Sequence, residues 1–172
     1  MTQPHADYDT IVVGGGPSGA TAAHELANKG HRVLLLERGF RIKPCGGAIP
    51  PCLLQEFTIP DHLVVARIRS ARMISPKGQS VDMPIDGTFV GMVDRDEFDP
   101  WLRQRASDAG ATVVPGVFKS LEYQEELVSL TYQTKDENPR SVTVTARSVL
   151  GADGARSAVA RATIPDAEKT PW

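Results

Sequence analysis

An apolar run, Tyr8 to Val13, breaks at Gly14-Gly15-Gly16-Pro17-Ser18-Gly19 and gives way to a stretch of small residues, roughly Ser18 to Lys29. Gly14, Gly16 and Gly19 fit the spacing GxGxxG. The spacing is informative because of its flanks: it closes a candidate buried strand and opens a candidate helix. Gly14 permits the tight turn, Gly16 leaves no side chain between the backbone and a pyrophosphate, and Gly19 lets the helix pack close to the strand. Pro17 and Ser18 open that helix, whose free N–H groups and positive dipole end face the phosphates. Ala20, Ala22, Ala23 and Ala27 keep it thin where it lies on a sheet, and Gly30 stands where a C-cap belongs. Val33 to Leu36 then runs apolar without alternation, as buried parallel strands do. Glu37 ends it, eighteen residues past Gly19, at the place of an acid that accepts hydrogen bonds from ribose hydroxyls. An acid there disfavours a 2′-phosphate, so FAD or NAD fits better than NADP. Arg38 follows directly and offsets part of that charge. Spacing alone does not choose between FAD and NAD.

Beyond this βαβ pattern the chain reads as a mixed α/β domain. Arg38 to Pro60 is rich in Gly and Pro and predicts a long loop with at most a short helix. Alternating segments around Ala66–Ile74, Ser80–Pro84 and Phe89–Val93 predict antiparallel strands laid beside the nucleotide fold. A helix running to Ala109, stopped by Gly110, places Phe98, Leu102, Ala106 and Ala109 on one face. Its start is awkward: Asp94 and Glu97 make a capping-box pattern, which leaves Pro100 past the first turn. Capping at Asp96, or at Asp99 with Pro100 as first helical residue, relieves this. A short strand at Ala111–Val114 and a β-meander at Val117–Tyr123, Leu127–Thr134 and Ser141–Val149 follow. The meander leads into Leu150-Gly151-Ala152-Asp153-Gly154, and a short helix is expected from Ser157.

The 172 residues suffice for one ordinary domain, and 41% hydrophobic with 23% charged residues fits a soluble globular chain rather than a disordered one. Nineteen basic residues are scattered among twenty-one acidic ones with no basic run, so no nucleic-acid partner is expected. No apolar stretch approaches the roughly 20 residues of a membrane-spanning helix, and the polar N-terminus carries no apolar signal segment. A cytoplasmic location is the expectation, with peripheral membrane association left open. Cys45 and Cys52 lack CxxC spacing, and His5, His24, His31 and His62 are dispersed, so no metal site is expected.

From Tyr8 onward the chain resembles the flavoprotein hydroxylase–reductase superfamily, whose FAD domain starts at the extreme N-terminus. The fold class implied is α/β: a Rossmann-like FAD-binding domain (GR2/PHBH-type) with a βαβ unit, antiparallel β insertions and a β-meander. Val93-Asp94-Arg95-Asp96-Glu97-Phe98-Asp99, followed by Leu102, is similar to the superfamily's arginine-led helix. The resemblance implies that Arg95 contacts the flavin; the competing reading is a solvated first-turn arginine. Leu150-Gly151-Ala152-Asp153-Gly154-Ala155-Arg156-Ser157 resembles the superfamily's Asp-Gly motif, near the FAD pyrophosphate and the path of NAD(P)H. Gly154 permits a sharp strand exit, and Asp153 accepts hydrogen bonds from backbone or ribityl groups, or simply caps a helix.

One segment narrows the family. Arg41-Ile42-Lys43-Pro44-Cys45-Gly46-Gly47-Ala48-Ile49-Pro50 looks like the Lys-Pro-Cys-Gly-Gly stretch of geranylgeranyl reductases. Met73-Ile74-Ser75-Pro76 and Gly91-Met92-Val93 resemble the branch serving chlorophyll and bacteriochlorophyll synthesis. What this implies is an FAD-dependent, NADPH-using reductase that takes geranylgeranyl double bonds stepwise to phytyl. The prenyl substrate is carried on (bacterio)chlorophyllide or as the diphosphate. Cys45, Gly46 and Gly47 would lie near the reactive ring, with Cys45 as catalytic proton donor or substrate contact, against a buried structural cysteine. Lys43 is read as a solvated loop lysine. Two other readings stand beside this one: a flavin monooxygenase or halogenase of the same fold, and a non-catalytic nucleotide-binding fragment. The superfamily's later Gly-Asp-Ala motif is not found before Trp172, and family members run to about twice this length or more. The expectation is therefore that residues 1–172 form a single, incomplete FAD-binding domain with the substrate domain largely absent. Alone it would bind FAD weakly and turn nothing over.

Overall fold

Tyr8–Val13 forms the first strand, β1, of a computed structural model that describes residues 5–39, 45, 47–124 and 126–169. After it come helix α1 (Pro17–Asn28) and strand β2 (Val33–Glu37). The middle of the chain carries β3 (Ala48–Ile49), α2 (Pro51–Glu56), β4 (Val64–Ile68), β5 (Ser70–Ile74), β6 (Ser80–Pro84) and β7 (Val90–Val93). Helix α3 (Arg95–Asp108), strands β8 (Thr112–Gln124), β9 (Leu127–Thr134) and β10 (Ser141–Gly151), and helix α4 (Ala158–Thr163) complete it. Two compact units result, one from Met1–Arg41 with Trp101–Trp172 and the other from Ile42–Pro100.

In the first unit β1 lies between β2 and β10 and is parallel to both, with Ile11 opposite Leu34 and Val12 opposite Leu150. The start of β8 adds a fourth parallel strand beside β2. Flanked on both sides, β1 and β2 bury residues of both faces: Ile11, Val12, Leu34 and Leu35 are all essentially inaccessible. That explains why they run apolar without alternation. Strands β8 and β10 each serve twice. Beyond Pro115, β8 turns its pairing to β9, antiparallel, and β10 pairs β9 up to Ala146 before joining β1. Pairing thus closes in the order β1-β10-β9-β8-β2. Ile11, Val13, Leu34 and Leu36 from the parallel strands meet Leu130 and Tyr132 of β9, Ala146 of β10 and Val159 of α4 in one core.

The two strands expected at 111–114 and 117–123 are one. Pro115 and Gly116 read as a turn, but Pro115 holds the last register position on β2, where the strand is leaving that partner. Gly116 sits where the core is tightest: a Cβ there would lie 2.7 Å from both Leu36 Cδ1 and Tyr132 Cδ2.

In the second unit, β3, β7 and β4 form an antiparallel sheet and β5 pairs β6 as a two-stranded ribbon. The single strand expected over Ala66–Ile74 is divided at Arg69, because β4 pairs β7 whereas β5 pairs β6. Apolar residues stand at Ala66 and Ile68 and then at Ala71 and Met73, so the alternation changes phase at Arg69–Ser70, a local sign of the break that does not say which strand pairs with either half. β3, two residues long, is too short for a periodic signal and lies in the expected loop; α2 is the short helix allowed for there.

The start of α3 corrects the expected caps. The helix begins at Arg95, Asp94 Oδ1 accepts from the Asp96 N–H at 3.0 Å, and the Phe98 N–H donates to the Asp94 carbonyl at 2.8 Å. Neither Asp96 nor Asp99 caps, and Pro100 lies inside the helix. A proline there forfeits one backbone bond and strains the preceding turn. The burial of Phe98, Leu102 and Ala106 on one face opposes that cost, as packing of an apolar face generally supports helices. Among the described residues no helix is long and apolar enough to cross a membrane.

The core assignment has a direct check. Leu130 is fully buried, so Leu130→Ala should lower unfolding free energy by about 2–5 kcal/mol in urea titration. Tyr123→Ala, at a residue 71% exposed, should change it by less than about 0.5 kcal/mol.

Candidate functional site

The residues singled out in the sequence fall into two clusters, one in each unit. In the first unit the fingerprint turn is built from backbone contacts. Gly14 has φ +107°, a conformation that L side chains rarely adopt, and a Cβ on it would strike the Ala152 carbonyl. The turn after β1 therefore lies directly against the segment leaving β10, and the Ala152 N–H donates to the Val13 carbonyl at 2.8 Å. A Cβ on Gly19 would strike the Gly14 carbonyl, so α1 starts in contact with the turn, as its spacing predicts. Gly16 is different. Its φ is an ordinary −75°, and a Cβ there would meet nothing within 4 Å. Neither backbone nor packing requires a glycine at this position, but a ligand brought close to the backbone would. Gly16 is also the N-cap of α1 with no side-chain cap bond, and Pro17 follows at the first turn. The first-turn N–H groups, those of Ser18 and Gly19 included, are of the kind that bind phosphate.

Glu37 reaches back to this turn. Its carboxylate accepts from the Gly15 N–H at 2.6 Å and from the Gly39 N–H at 2.9 Å. A carboxylate offers about four acceptor positions, more than these two bonds from described residues take up, and hydroxyl donors such as those of a ribose suit it. Arg38 is exposed. Arg103, which the sequence reading missed, donates from Nη1 to the Gly15 carbonyl at 3.1 Å and brings a cation to the fingerprint. It stands 88 residues away in α3 within a helical pattern like any other, and no local signal marks it. The open space before Gly16, the α1 terminus and the carboxylate of Glu37 suit a dinucleotide.

Asp153 is engaged at the end of β10. Its carboxylate accepts from Ser157 Oγ at 2.5 Å, from the Ala158 N–H at 2.6 Å and from the Val159 N–H at 3.3 Å. Ser157 in turn caps α4 by accepting from the Ala160 N–H at 2.9 Å. The N-cap of α4 is thus Ser157 and not Asp153; the Asp153 carboxylate instead bonds the cap residue and first-turn N–H groups from outside the helix, and Gly154 in the intervening loop takes φ +86°.

In the second unit two motifs meet. Gly47 has φ +67°, and a Cβ there would strike the Val93 carbonyl, while the Val93 N–H donates to the Gly47 carbonyl at 3.0 Å. Val93 immediately precedes Asp94-Arg95, so Gly47 and the start of the arginine-led helix are drawn together. The Cys45 thiol is exposed rather than buried. Hydrogen bonding from the Gly47 backbone N–H, then the Arg95 side chain, holds it below the ordinary thiol value, against desolvation and the Asp99 charge. Arg95 is not a solvated first-turn arginine. Its Nε and Nη2 donate to Asp99 Oδ1 and Oδ2 at 2.6 and 2.7 Å, and both side chains are nearly buried. Asp99 is the second residue missed by sequence reading; its i,i+4 spacing from Arg95 was the available signal. Lys43, Pro44 and Gly46 lie outside the described residues.

Residues 12–50 match a family model described as an NAD(P)-binding Rossmann-like domain. A geranylgeranyl diphosphate reductase of Rhodobacter capsulatus is 53% identical over 152 residues, 88% of this chain and 39% of that protein. A Methanosarcina barkeri protein described as an uncharacterized protein in nifH2 5'region is 32% identical over 92% of this chain and 88% of its own length. The crystal structure of a geranylgeranyl bacteriochlorophyll reductase-like protein from Thermoplasma acidophilum is similar at 27% identity and a TM-score of 0.77, over 86% of this chain and 39% of that one. The chain spans 34–40% of the length of five geranylgeranyl diphosphate reductases that it matches.

The two fingerprint glycines should separate cleanly in thermal melts. Gly14→Ala meets both a positive φ and the Ala152 carbonyl, and should cost upwards of about 1–2 kcal/mol. Gly16→Ala should melt within about 0.5 kcal/mol of wild type.

Proposed function

We propose that the chain forms part of an FAD-dependent oxidoreductase of the geranylgeranyl reductase family, which it resembles over 88% of its length, and which uses NADPH to reduce geranylgeranyl double bonds to phytyl. The prenyl group is carried on (bacterio)chlorophyllide or as the diphosphate. The observation that carries the reading is the Gly47–Val93 contact, which draws Cys45 of the geranylgeranyl-reductase-like segment toward Arg95 of the superfamily-like helix.

In this reading Gly14, Gly16, Pro17, Ser18 and Gly19 present backbone donors to the pyrophosphate of FAD, Glu37 accepts from ribose hydroxyls, and Arg38 and Arg103 add positive charge. Asp153 and Gly154 shape the loop against the fingerprint, and Gly46, Gly47 and Arg95 contact the flavin end. Bound FAD would supply the two-electron carrier between NADPH and an alkene carbon. An isolated alkene is a poor hydride acceptor, so a proton must reach its other carbon. Cys45 is the proposed donor: its S–H gives up the proton, and the Gly47 N–H and Arg95 guanidinium stabilise the thiolate left behind. The incomplete span of the relatives limits what these residues achieve alone, and weak FAD binding without turnover is proposed for the 172-residue chain.

Purified chain should therefore lack stoichiometric FAD. Excess FAD should raise its melting temperature, and Gly16→Val should abolish that rise while leaving the ligand-free melt unchanged. Stoichiometric flavin contradicts the weak binding proposed for this chain, and a shift that survives Gly16→Val contradicts the site.

In an intact reductase carrying this segment, prenyl reduction should proceed without oxygen uptake. Cys45→Ala should lower kcat by about 10²–10⁴-fold while reduction of the flavin by NADPH stays at its original rate. The donor must be protonated, and its pKa lies below the ordinary thiol value. Activity should accordingly be full at low pH and fall as pH rises through that lowered pKa. Unchanged turnover in Cys45→Ala would remove Cys45 from the mechanism.

A further inference from the structure

Asp99 is the one charged residue classed as buried among the described residues, at 7% exposure. Burying a carboxylate is costly unless it is paired and hydrogen-bonded. Its partner is equally unusual: Arg95 is the first residue of α3, where the helix dipole opposes a cation. Helix stability explains neither residue. The pair is a two-point fork, Nε to Oδ1 and Nη2 to Oδ2, which fixes the plane of a guanidinium rather than merely neutralising it. The Gly47–Val93 backbone contact brings Cys45 toward the start of this helix, and the same guanidinium acts on the Cys45 thiol, lowering its pKa.

We propose that Asp99 is a positioning residue: its carboxylate grips one edge of the Arg95 guanidinium and so holds the remaining N–H groups on the Cys45 sulfur. The inference rests on the reading of Cys45 and Arg95 as working residues of this protein. Asp99 touches neither substrate nor cofactor in this role. It sets how strongly Arg95 acts on the thiol, and an arginine freed from the fork would spend its N–H groups on solvent.

The charge of Asp99 makes the idea decidable. A carboxylate near a thiol disfavours the thiolate. If Asp99 acts only through space, removing its charge lowers the Cys45 pKa. If it acts by holding Arg95, removing the fork raises that pKa, because the stabilising guanidinium is lost. The two accounts predict opposite signs, and among the described residues Arg95 and Asp99 are the charged groups that act on the thiol.

The measurement is the pH dependence of Cys45 alkylation by iodoacetamide in the 172-residue chain, in a Cys52→Ser background so that one thiol is read. No flavin or substrate is needed, so its failure is separable from failure of the reductase reading, which flavin binding and turnover test. Asp99→Asn should move the midpoint up and slow alkylation at neutral pH, and Asp99→Glu, which keeps charge and fork, should move it back toward wild type. A midpoint that falls or stays in Asp99→Asn overturns the proposal, as does a change confined to the melting temperature. Should Asp99→Asn not melt cooperatively, Arg95→Lys keeps the cation but not the fork. A raised midpoint there supports the proposal and an unchanged or lowered one overturns it.

Discussion

Between Gly14 and the Ala152 carbonyl there is no room for a side chain, and this backbone contact joins the exit of β1 to the exit of β10. The Ala152 N–H on the Val13 carbonyl extends the parallel ladder by one bond past the strand ends. Gly19 then sets α1 against the same turn, and Glu37, at the end of the neighbouring strand, bonds the Gly15 N–H from the other side. Two motifs almost the whole chain apart are thereby one backbone surface. The open space before Gly16 exists because these contacts hold everything else away from it.

Both clusters use a carboxylate to organise donors rather than to present bare charge. Glu37 gathers the N–H groups of Gly15 and Gly39, Asp153 gathers Ser157, Ala158 and Val159, and Asp99 grips Arg95. Side chains held at two or three points lose little further entropy when a ligand arrives, which is the physical content of a preorganised site. The retention of a nearly buried ion pair in α3 is consistent with that use, since an apolar pair of similar volume is often at least as stabilising.

Much of this was legible in the chain. The βαβ unit follows from local pattern: an unbroken apolar run, three glycines at fixed spacing, small residues at helical period and an acid at the next strand end. Ser157 at the start of α4 and Gly110 after α3 were equally local. Partner changes were not. The run from Thr112 to Gln124 is one strand across Pro115 and Gly116 because β2 and then β9 accept it, and the run broken at Arg69 is two strands because β7 and β6 take different halves. Alternation reports which face a residue takes, not which strand pairs with it. Pro100 within α3 was resisted by propensity and retained by burial of Phe98, Leu102 and Ala106.

By itself the sequence determined which residues to look at: a glycine turn between a strand and a helix, an acid at the next strand end, and a Cys-Gly-Gly segment and an arginine-led helix that resemble those of geranylgeranyl reductases and their superfamily. These are matters of residue type and spacing, which short-range sterics and hydrogen bonding translate directly. Only the tertiary structure decided how the groups are held: Arg103 on the Gly15 carbonyl, Asp153 committed to a helix end, and Cys45 exposed yet drawn to an arginine that Asp99 keeps in plane. Such arrangements depend on distances between residues far apart in the chain, and a charged side chain's behaviour follows from its neighbours and burial rather than from its name.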